Sequence, residues 1–552
     1  MDGFAPRPEE PPERLPGEAS RPCLHPFLAS ADDAGDPGPE GPRHPLLTCL
    51  RKWLPPAPAA VLLVGSQTWL YEARLGAAGY EVTAAHRMPE AEAEERPMPP
   101  GSYHAVVLLE AVPSALSLGP RLEAIRNLLA RDGWLILTEV LDLPSPEPPS
   151  GSPLSTARLQ AALAEAGFCP RRQQDLSTEA RSGARKALAA AGDHGRWRRR
   201  IEGLEAGRAV YRALGARRDA FRIRPYEEGD EEQIIDLFRE AFHHHRGKEH
   251  WDWQYRANPW GSLKLSLAFD ERARLVAQYA AYPVRFLRFR QGTLETLHCH
   301  QVGDTMTRPS VRNVGRGPTS LLGRTARHFF ARFCEGQVHF NYGFNVGNIQ
   351  RFSMLILKAQ RVAPVTYWRR SPAPAGLRPL SAWRRWRGAR IEEMSSVDER
   401  WDRFLRRVAR DYGFLVARDQ AYLRWRYLER PGYRYHLLAA FEGDRLAAWS
   451  VFRREGDRLM WGDGLVSAAQ PHWAEHLLAE ALASPFADGI SRIDGWFAPQ
   501  PGWFRRELLR LGFEAAAEPQ DLALMLSPFE PEPSAETLDS ELFYTLGDSD
   551  LF

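Results

Sequence analysis

Hydrophobic rhythm is absent from the first residues. Positions 1–44 are rich in Pro, Glu, Gly and Asp without helical or strand periodicity, and are expected to form a disordered arm. From about residue 45 short apolar runs alternate with helical spacing. Ala59-Ala-Val-Leu-Leu-Val-Gly65 reads as a buried strand ending at a glycine. Trp69 to Ala78 predicts a helix and Tyr80 to Ala85 a second strand. Tyr103 to Leu109 and Gly133 to Glu139 predict two more strands, with a helix over Leu122 to Leu129 between them. Continuous apolar strands alternating with helices predict a parallel sheet covered on both faces over residues 45–180. Residues 181–219, rich in Arg and Ala at helical spacing, predict a connecting helix.

Beyond residue 220 the pattern becomes α+β and repeats. Trp253-Gln-Tyr255-Arg-Ala-Asn-Pro259 recurs as Trp425-Arg-Tyr427-Leu-Glu-Arg-Pro431, each residue 172 positions later. Both copies continue into a hairpin pattern: Leu265 to Asp270 with Leu275 to Tyr279, and Leu437 to Glu442 with Leu446 to Ser450. Gly303-Asp304 is matched by Gly462-Asp463, and both copies end in a helix, Ile349 to Lys358 and Trp503 to Leu511. Residues 220–370 and 396–528 therefore read as two copies of one domain joined by a linker at 371–395, and the repeated aromatics as packing anchors. Asp230 is expected to cap the first helix of the first copy. An acidic segment, 529–552, ends the sequence. Its apolar residues suggest docking onto the body, with Asp548 and Asp550 reaching a substrate groove; an exposed tail is the other reading. The overall expectation is a multidomain α/β and α+β chain.

The chemistry concentrates after the strand pattern Leu297 to Thr307. Arg312-Asn313-Val314-Gly315-Arg316-Gly317 leads into a helical pattern from Pro318 to Arg332. A strand feeding a glycine-bearing loop into a helix start presents backbone N–H groups and a positive dipole end to an anion. Gly315 and Gly317 let a pyrophosphate approach the main chain, and Arg312 and Arg316 add cations. By strict alternation His298, His300, Val302 and Asp304 share one strand face, where Asp304 and His300 are candidate bases.

This loop, with Pro309 just upstream, resembles the acyl-CoA loop of the GNAT superfamily of N-acetyltransferases, and the order of elements in each copy is also the GNAT order. The resemblance implies acetyl-CoA or another acyl-CoA bound by loop amides from Val314 to Gly317. It also implies a thioester carbonyl against the main chain near Met306 and Thr307, and a pantetheine arm near Asn345 and Asn348, which could instead cap the following helix. His298 and His300 resemble the paired histidines of arylalkylamine acetyltransferases. The family's thiolate acid, a Tyr seven residues after an Asn, has no match: Asn345 leads to Phe352 and Asn348 to Leu355. Tyr342 is the remaining possibility. The second copy reads Gly464-Leu-Val-Ser-Ala-Ala-Gln-Pro-His472 at the loop and lacks the glycines, so one acyl-CoA site is expected.

Residues 59–180 resemble class I S-adenosylmethionine-dependent methyltransferases. The cofactor positions depart, with Leu63, Gln67, Trp69 and His86 where the family has acids and glycines. S-adenosylmethionine is therefore not expected as a cofactor, and the domain is read as degenerate. The net charge of +2 argues against a nucleic-acid partner. Five scattered cysteines give no metal or disulfide framework, and His243-His-His245 with His250 reads as a solvated turn rather than a metal site. Without a signal or membrane-length segment the expected location is cytoplasmic, and the Arg-rich, Lys-poor composition suggests a GC-rich bacterial genome. The leading expectation is an N-acyltransferase acting on a primary amine of a small molecule or peptide. A bifunctional methyltransferase/acetyltransferase and a non-catalytic scaffold are the alternatives.

Overall fold

The computed structural model describes residues 45–65, 68–85, 99–109, 118–142, 155–181, 202–372, 377–382, 385 and 388–552. The chain divides into two compact units, the first closing at Asp219 and the second beginning at Ala220. The arm expected over residues 1–44, and Gln67 and His86 of the methyltransferase comparison, lie outside the described residues, as does the side chain of Trp69.

The first unit is one sheet built from β1 (Ala60–Gly65), β2 (Glu81–Ala85), β3 (Tyr103–Leu109), β4 (Leu129–Asp142), β5 (Phe168–Asp175) and β6 (Ala209–Arg218), in the order β2-β1-β3-β4-β6-β5. The strands β2, β1, β3 and β4 run parallel, as their unbroken apolar runs anticipate. Val61 and Leu63 pack on α1 (Pro45–Trp53) and α2 (Trp69–Gly76). Leu62 and Val64 face α3 (Leu118–Leu128) and α4 (Thr156–Glu165). Both faces of β1 are thus covered, which is why it carries no polar alternation.

The expected helix over 181–219 is corrected at its C-terminal end, where β6 runs antiparallel between β4 and β5. Ala and Arg favour helices in isolation, but Ala209, Tyr211 and Ala213 enter one core cluster while Val210, Leu214 and Ala216 enter the other. Burial on both sides of a sheet outweighs helix propensity here.

The second unit holds two sheets. Its strands are β7 (Arg222–Pro225), β8 (Lys264–Phe269), β9 (Leu275–Arg290), β10 (Thr293–Thr307), β11 (Phe340–Asn345), β12 (Gln360–Pro364), β13 (Tyr367–Arg370), β14 (Ala389–Glu393), β15 (Phe414–Val416), β16 (His436–Glu442), β17 (Arg445–Glu455), β18 (Arg458–Val466), β19 (Arg492–Trp496), β20 (Glu514–Ala516), β21 (Ala523–Pro528) and β22 (Leu542–Phe543). One sheet runs β12-β21-β11-β10-β9-β15-β22, with β8 on β9 and β7 on β8; the other runs β14-β16-β17-β18-β19-β13-β20. The helices used below are α5 (Glu231–Phe242), α6 (Lys248–Tyr255), α7 (Leu321–Phe333), α8 (Gly347–Leu357), α9 (Glu399–Tyr412), α10 (His472–Ala483), α11 (Gly502–Arg510) and α12 (Ala535–Glu541).

The expected boundaries at 370, 396 and 528 do not separate these sheets. β21 inserts between β11 and β12 of the first sheet, and β13 inserts between β19 and β20 of the second. Each half lends the other a strand, and the expected linker contributes β14 to the second sheet. Asp230 occupies the N-cap position of α5, but its side chain does not cap. Its two oxygens are taken by Arg224, at 2.7 and 2.8 Å.

The repeated aromatics meet at the centre of this unit. Trp253 and Trp425 stack with centroids 4.9 Å apart. Each indole N–H donates to the other residue's carbonyl, at 2.6 and 2.8 Å. Around this pair the same triad appears twice. Tyr255 donates to Asp304 (2.7 Å), which pairs with Arg246 (2.6 Å); Tyr427 donates to Asp463 (2.6 Å), which pairs with Arg418 (2.8 Å). Arg418 also lies 172 positions after Arg246.

Residues 542–549 and Phe552 are buried in the body, with Asp550 and Leu551 exposed between them, so the end of the tail docks. Phe543, Thr545, Ser549 and Phe552 are fully buried. Arg418, itself inaccessible to solvent, pairs with Asp548 (2.6 Å) as well as Asp463, and donates to Thr545. Replacing Arg418 by Ala would leave two buried carboxylates facing each other. Breaking a buried pair of this kind costs about 3–5 kcal/mol, so Arg418→Ala is expected to lower the urea-unfolding free energy of the second unit by that amount.

Candidate functional site

β10 and β11 are hydrogen-bonded in parallel over three residue pairs only: Cys299 with Phe340, His300 with Asn341, Gln301 with Tyr342. Past Gln301 the two strands part. On its other edge β10 stays paired with β9, but the register shifts between Gly303 and Met306, and Asp304 adopts a left-handed φ of 51°. The main chain from Gly303 to Thr307 therefore lines an open fork facing Gly343 to Asn345.

The bulge corrects the expectation of a shared face. His300 and Val302 lie against Phe329 and Cys334 on the α7 side of the sheet. Asp304 emerges on the opposite side against Tyr255, whose cluster includes Ala280 and Met306. One extra residue reverses the alternation. His300 is withdrawn as a base: it is 3% exposed, faces Cys334 and Asn341, and burial first, then Lys264, pushes its imidazole down to about 3. His298 is exposed on the same side, and its pKa is lowered chiefly by desolvation, then by Arg285. Asp304 stands at the fork, with Oδ2 holding both Tyr255 and Arg246.

At the far end of β10, Arg308 is buried and anchored to Asp236 (2.7 Å) and Glu240 of α5. That anchor fixes the start of the loop. Arg312, Asn313 and Arg316 are exposed. Gly315 has φ 73°, and a Cβ there would overlap the Thr319 carbonyl oxygen; Gly317 has φ 54° and opens on empty space. The Val314 amide donates to Val311, so it is not available to an anion as the sequence reading expected. Among the described residues the amides of Gly315, Arg316 and Gly317 have no protein acceptor. After a tight turn Ser320 caps α7 by accepting from Gly323.

Asn345 sits at the end of β11, its side chain donating to Ser353 (3.2 Å) of α8; Asn348 is exposed on the first turn of α8. The N-cap of α8 is Val346, so neither asparagine caps it. Tyr342 is buried at the base of the fork, donating to Gln301 (3.0 Å) and to the Asp548 carbonyl (3.3 Å). Phe352 lies on α8. His243 to His245 are exposed at the end of α5, while His250 packs on Trp253.

Two features were missing from the candidate set. Asp550, noted only as able to reach a groove, lies against Gly303: a Cβ at Gly303 would stand 3.6 Å from its carboxylate oxygen. The other is a second fork. β18 and β19 pair in parallel up to Trp461 with Gly495, then part immediately before Gly462-Asp463. This fork is filled by the chain itself. Thr545 bridges Phe497, the Tyr544 carbonyl accepts from Ala498 (2.9 Å), and the Thr545 hydroxyl donates to Asp463 (2.9 Å). The Phe552 ring fills the space a Cβ at Gly462 would need. The glycine in Gly462-Asp463 and the apolar end of the chain were the available sequence signals.

With this geometry in view, residues 222–352 match the family model described as an acetyltransferase (GNAT) domain, a stretch that runs from β7 into α8 and contains the first fork and its loop. An acetyltransferase (GNAT) domain is thereby assigned to that stretch. Among solved structures, a probable N-acyltransferase from Enterococcus faecalis aligns at 11% identity over 56% of this chain and 72% of its own, with a TM-score of 0.42. A GCN5-related N-acetyltransferase from Anabaena variabilis aligns at 12% identity over 56% and 73%, with a TM-score of 0.41. The Saccharomyces cerevisiae N-myristoyltransferase, solved with bound myristoyl-CoA, aligns at 9% identity over 56% and 79%, with a TM-score of 0.38. No curated protein matches the sequence.

The buried imidazoles set an acid limit on stability. His300 is held near 3, and His250 is pushed down to about 4 by burial first and then by Arg430, against 6.5 for a free imidazole. Between those values the unfolded chain binds protons that the folded chain excludes, so stability is lost as pH falls below 6.5. The slope is at most about 1.4 kcal/mol per pH unit for each ring. Urea midpoints measured from pH 7 to pH 4.5 are expected to decline, and His300→Gln, which removes a titrating ring, should flatten the decline.

Proposed function

We propose that the second unit is an acyl-CoA-dependent N-acyltransferase, built from two GNAT-like copies of which one binds acyl-CoA. The observation that carries this reading is the contrast between the two forks. The first is open and continues into a loop with three unused amides and two exposed arginines. The second is occupied by residues 544–545 and has no glycine loop.

The first fork fits the group. The amides of Gly315, Arg316 and Gly317, in the loop leading to α7, suit a pyrophosphate, with Arg312 and Arg316 beside them. The main chain near Met306 and Thr307, paired with β9 on one edge and parted from β11 on the other, suits a thioester carbonyl, and Asn348 suits the pantetheine arm. When bound, the cosubstrate supplies an acyl thioester, of which acetyl-CoA is the simplest form. Asp304, tied to Arg246 and Tyr255, fixes the bulge that opens the fork. The acceptor is a primary amine of a small molecule or peptide. Cytoplasmic location and bacterial origin remain the proposals drawn from composition.

For the first unit we propose a methyltransferase-like sheet that no longer takes S-adenosylmethionine. The strand order, with β6 antiparallel in an otherwise parallel array, supports the likeness. Leu63, where the family has an acid, is fully buried.

Calorimetric titration of the full chain tests both statements. Acetyl-CoA is expected to bind and S-adenosylmethionine not to bind. Gly315→Val, which is strained at φ 73° and meets Thr319, should weaken acetyl-CoA at least about tenfold, the effect of roughly 1.4 kcal/mol. Acetyl-CoA affinity unchanged in Gly315→Val would remove the loop from the site; myristoyl-CoA in the same titration reports the chain length admitted.

A further inference from the structure

Resting on the acyl-CoA reading above, we propose that Asp550 is the carboxylate that takes the proton from the acceptor amine, carried to the open fork by the docked segment 542–552. Geometry supports the role in three ways. Asp550 stands against Gly303, two residues past the last hydrogen-bonded pair of β10 and β11, where the fork begins. Its oxygen lies at ordinary contact distance from that point of the strand, so the carboxylate borders β10 without crowding it. Asp550 also keeps solvent access, unlike Asp548 and Ser549 before it. A base at this place can exchange its proton with water after each turnover.

The segment is held firmly enough to aim it. Arg418 fixes Asp548, Arg426 donates to the carbonyls of Gly547 (3.2 Å) and Ser549 (2.7 Å), and Tyr342 donates to the carbonyl of Asp548. On the far side of Asp550 the Phe552 ring is locked among Tyr427, Tyr435 and Arg453. Asp304 is less suited to the task, because its Oδ2 already serves Tyr255 and Arg246.

The groups facing Asp550 set its proton affinity. Asp304 on β10 repels its charge; Arg426, in the helical segment Arg424–Leu428 that continues the short helix Gln420–Leu423, and Arg430 just beyond it attract it; Arg246 before α6 and Tyr282 on β9 complete the surroundings. The residue as a whole reaches solvent, while its carboxylate is the part turned toward Gly303 and these groups. Burial first, and then Asp304, push the carboxyl up to about 6. Such a group is ionised at neutral pH yet far more basic than an ordinary carboxylate. The step balances as follows. An ammonium R–NH3+ gives one proton to Asp550 and regains its lone pair. The N–C bond to the acyl carbon forms as the C–S bond breaks, and a second N–H proton leaves with the sulfur as thiol. Asp550 then releases its proton to water.

The test compares the full chain with Asp550→Asn, using acetyl-CoA with butylamine, 2-phenylethylamine and spermidine, all protonated at neutral pH, and with hydroxylamine, which is not. Loss of a general base predicts a fall of about 100-fold or more in kcat with the protonated amines. Hydroxylamine turnover should stay within about threefold, with acetyl-CoA affinity and Tm unchanged. The wild-type rate should rise with pH through a limb near 6 that Asp550→Asn lacks. Independently of turnover, carbodiimide labelling of Asp550 in the unliganded chain, mapped by peptide mass, should fall with a midpoint near 6. Equal losses with hydroxylamine and the protonated amines, or none with either, would overturn the role of Asp550 while leaving acyl-CoA binding intact. Bound acetyl-CoA with no turnover of any amine also counts against it. Failure of wild type to bind acetyl-CoA would instead remove the underlying reading.

Discussion

The guanidinium of Arg418 is the interaction on which the second unit depends. It has no solvent exposure, so its charge must be met by protein. Asp463 meets it from the bulge of β18, Asp548 from the last segment of the sequence, and Val416 and Thr545 supply oxygens for the remaining N–H groups. A cation that demands two carboxylates from distant parts of the chain fixes their positions together. The segment 542–552 is therefore drawn into the body, where it lines both forks.

Much of this was legible because some constraints are local. The unbroken apolar runs of β1 and β3 reported burial on both faces, and hence a parallel sheet with helices on either side. The constant offset from Trp253 to Trp425 reported two similar environments, and the reciprocal indole hydrogen bonds make clear why both tryptophans must be kept together. Gly315 and Gly317 stood out for their missing side chains, and both also adopt left-handed backbone, which the sequence reading did not anticipate.

What escaped the sequence depends on non-local partners. Nothing within Ala523–Pro528 says that its neighbours are β11 and β12, because strand exchange is decided by which edge is free. The helical spacing of Ala and Arg near residue 209 gave way to a sheet needing its antiparallel strand. The face shared by His300 and Asp304 was inferred from strict alternation, which a single bulged residue reverses. Arg246 and Arg418 also repeat at the same offset, but an arginine in an Arg-rich chain gives no signal until its carboxylate is seen.

The same segment treats the two forks differently, and that difference follows from side-chain chemistry at equivalent places. Beside Gly462 it presents the Phe552 ring, and beside Phe497 the backbone of Tyr544 and Thr545. An apolar ring and a paired backbone close the second fork to any other chain or ligand. Beside Gly303 it presents Asp550, which fills little volume and carries a charge. Gly462 is needed to admit the ring, while Gly303 merely borders the carboxylate, the one group of the two able to exchange a proton. Two similar forks need not hold two sites: one becomes the seat of the segment, and that seat holds the carboxylate at the mouth of the other.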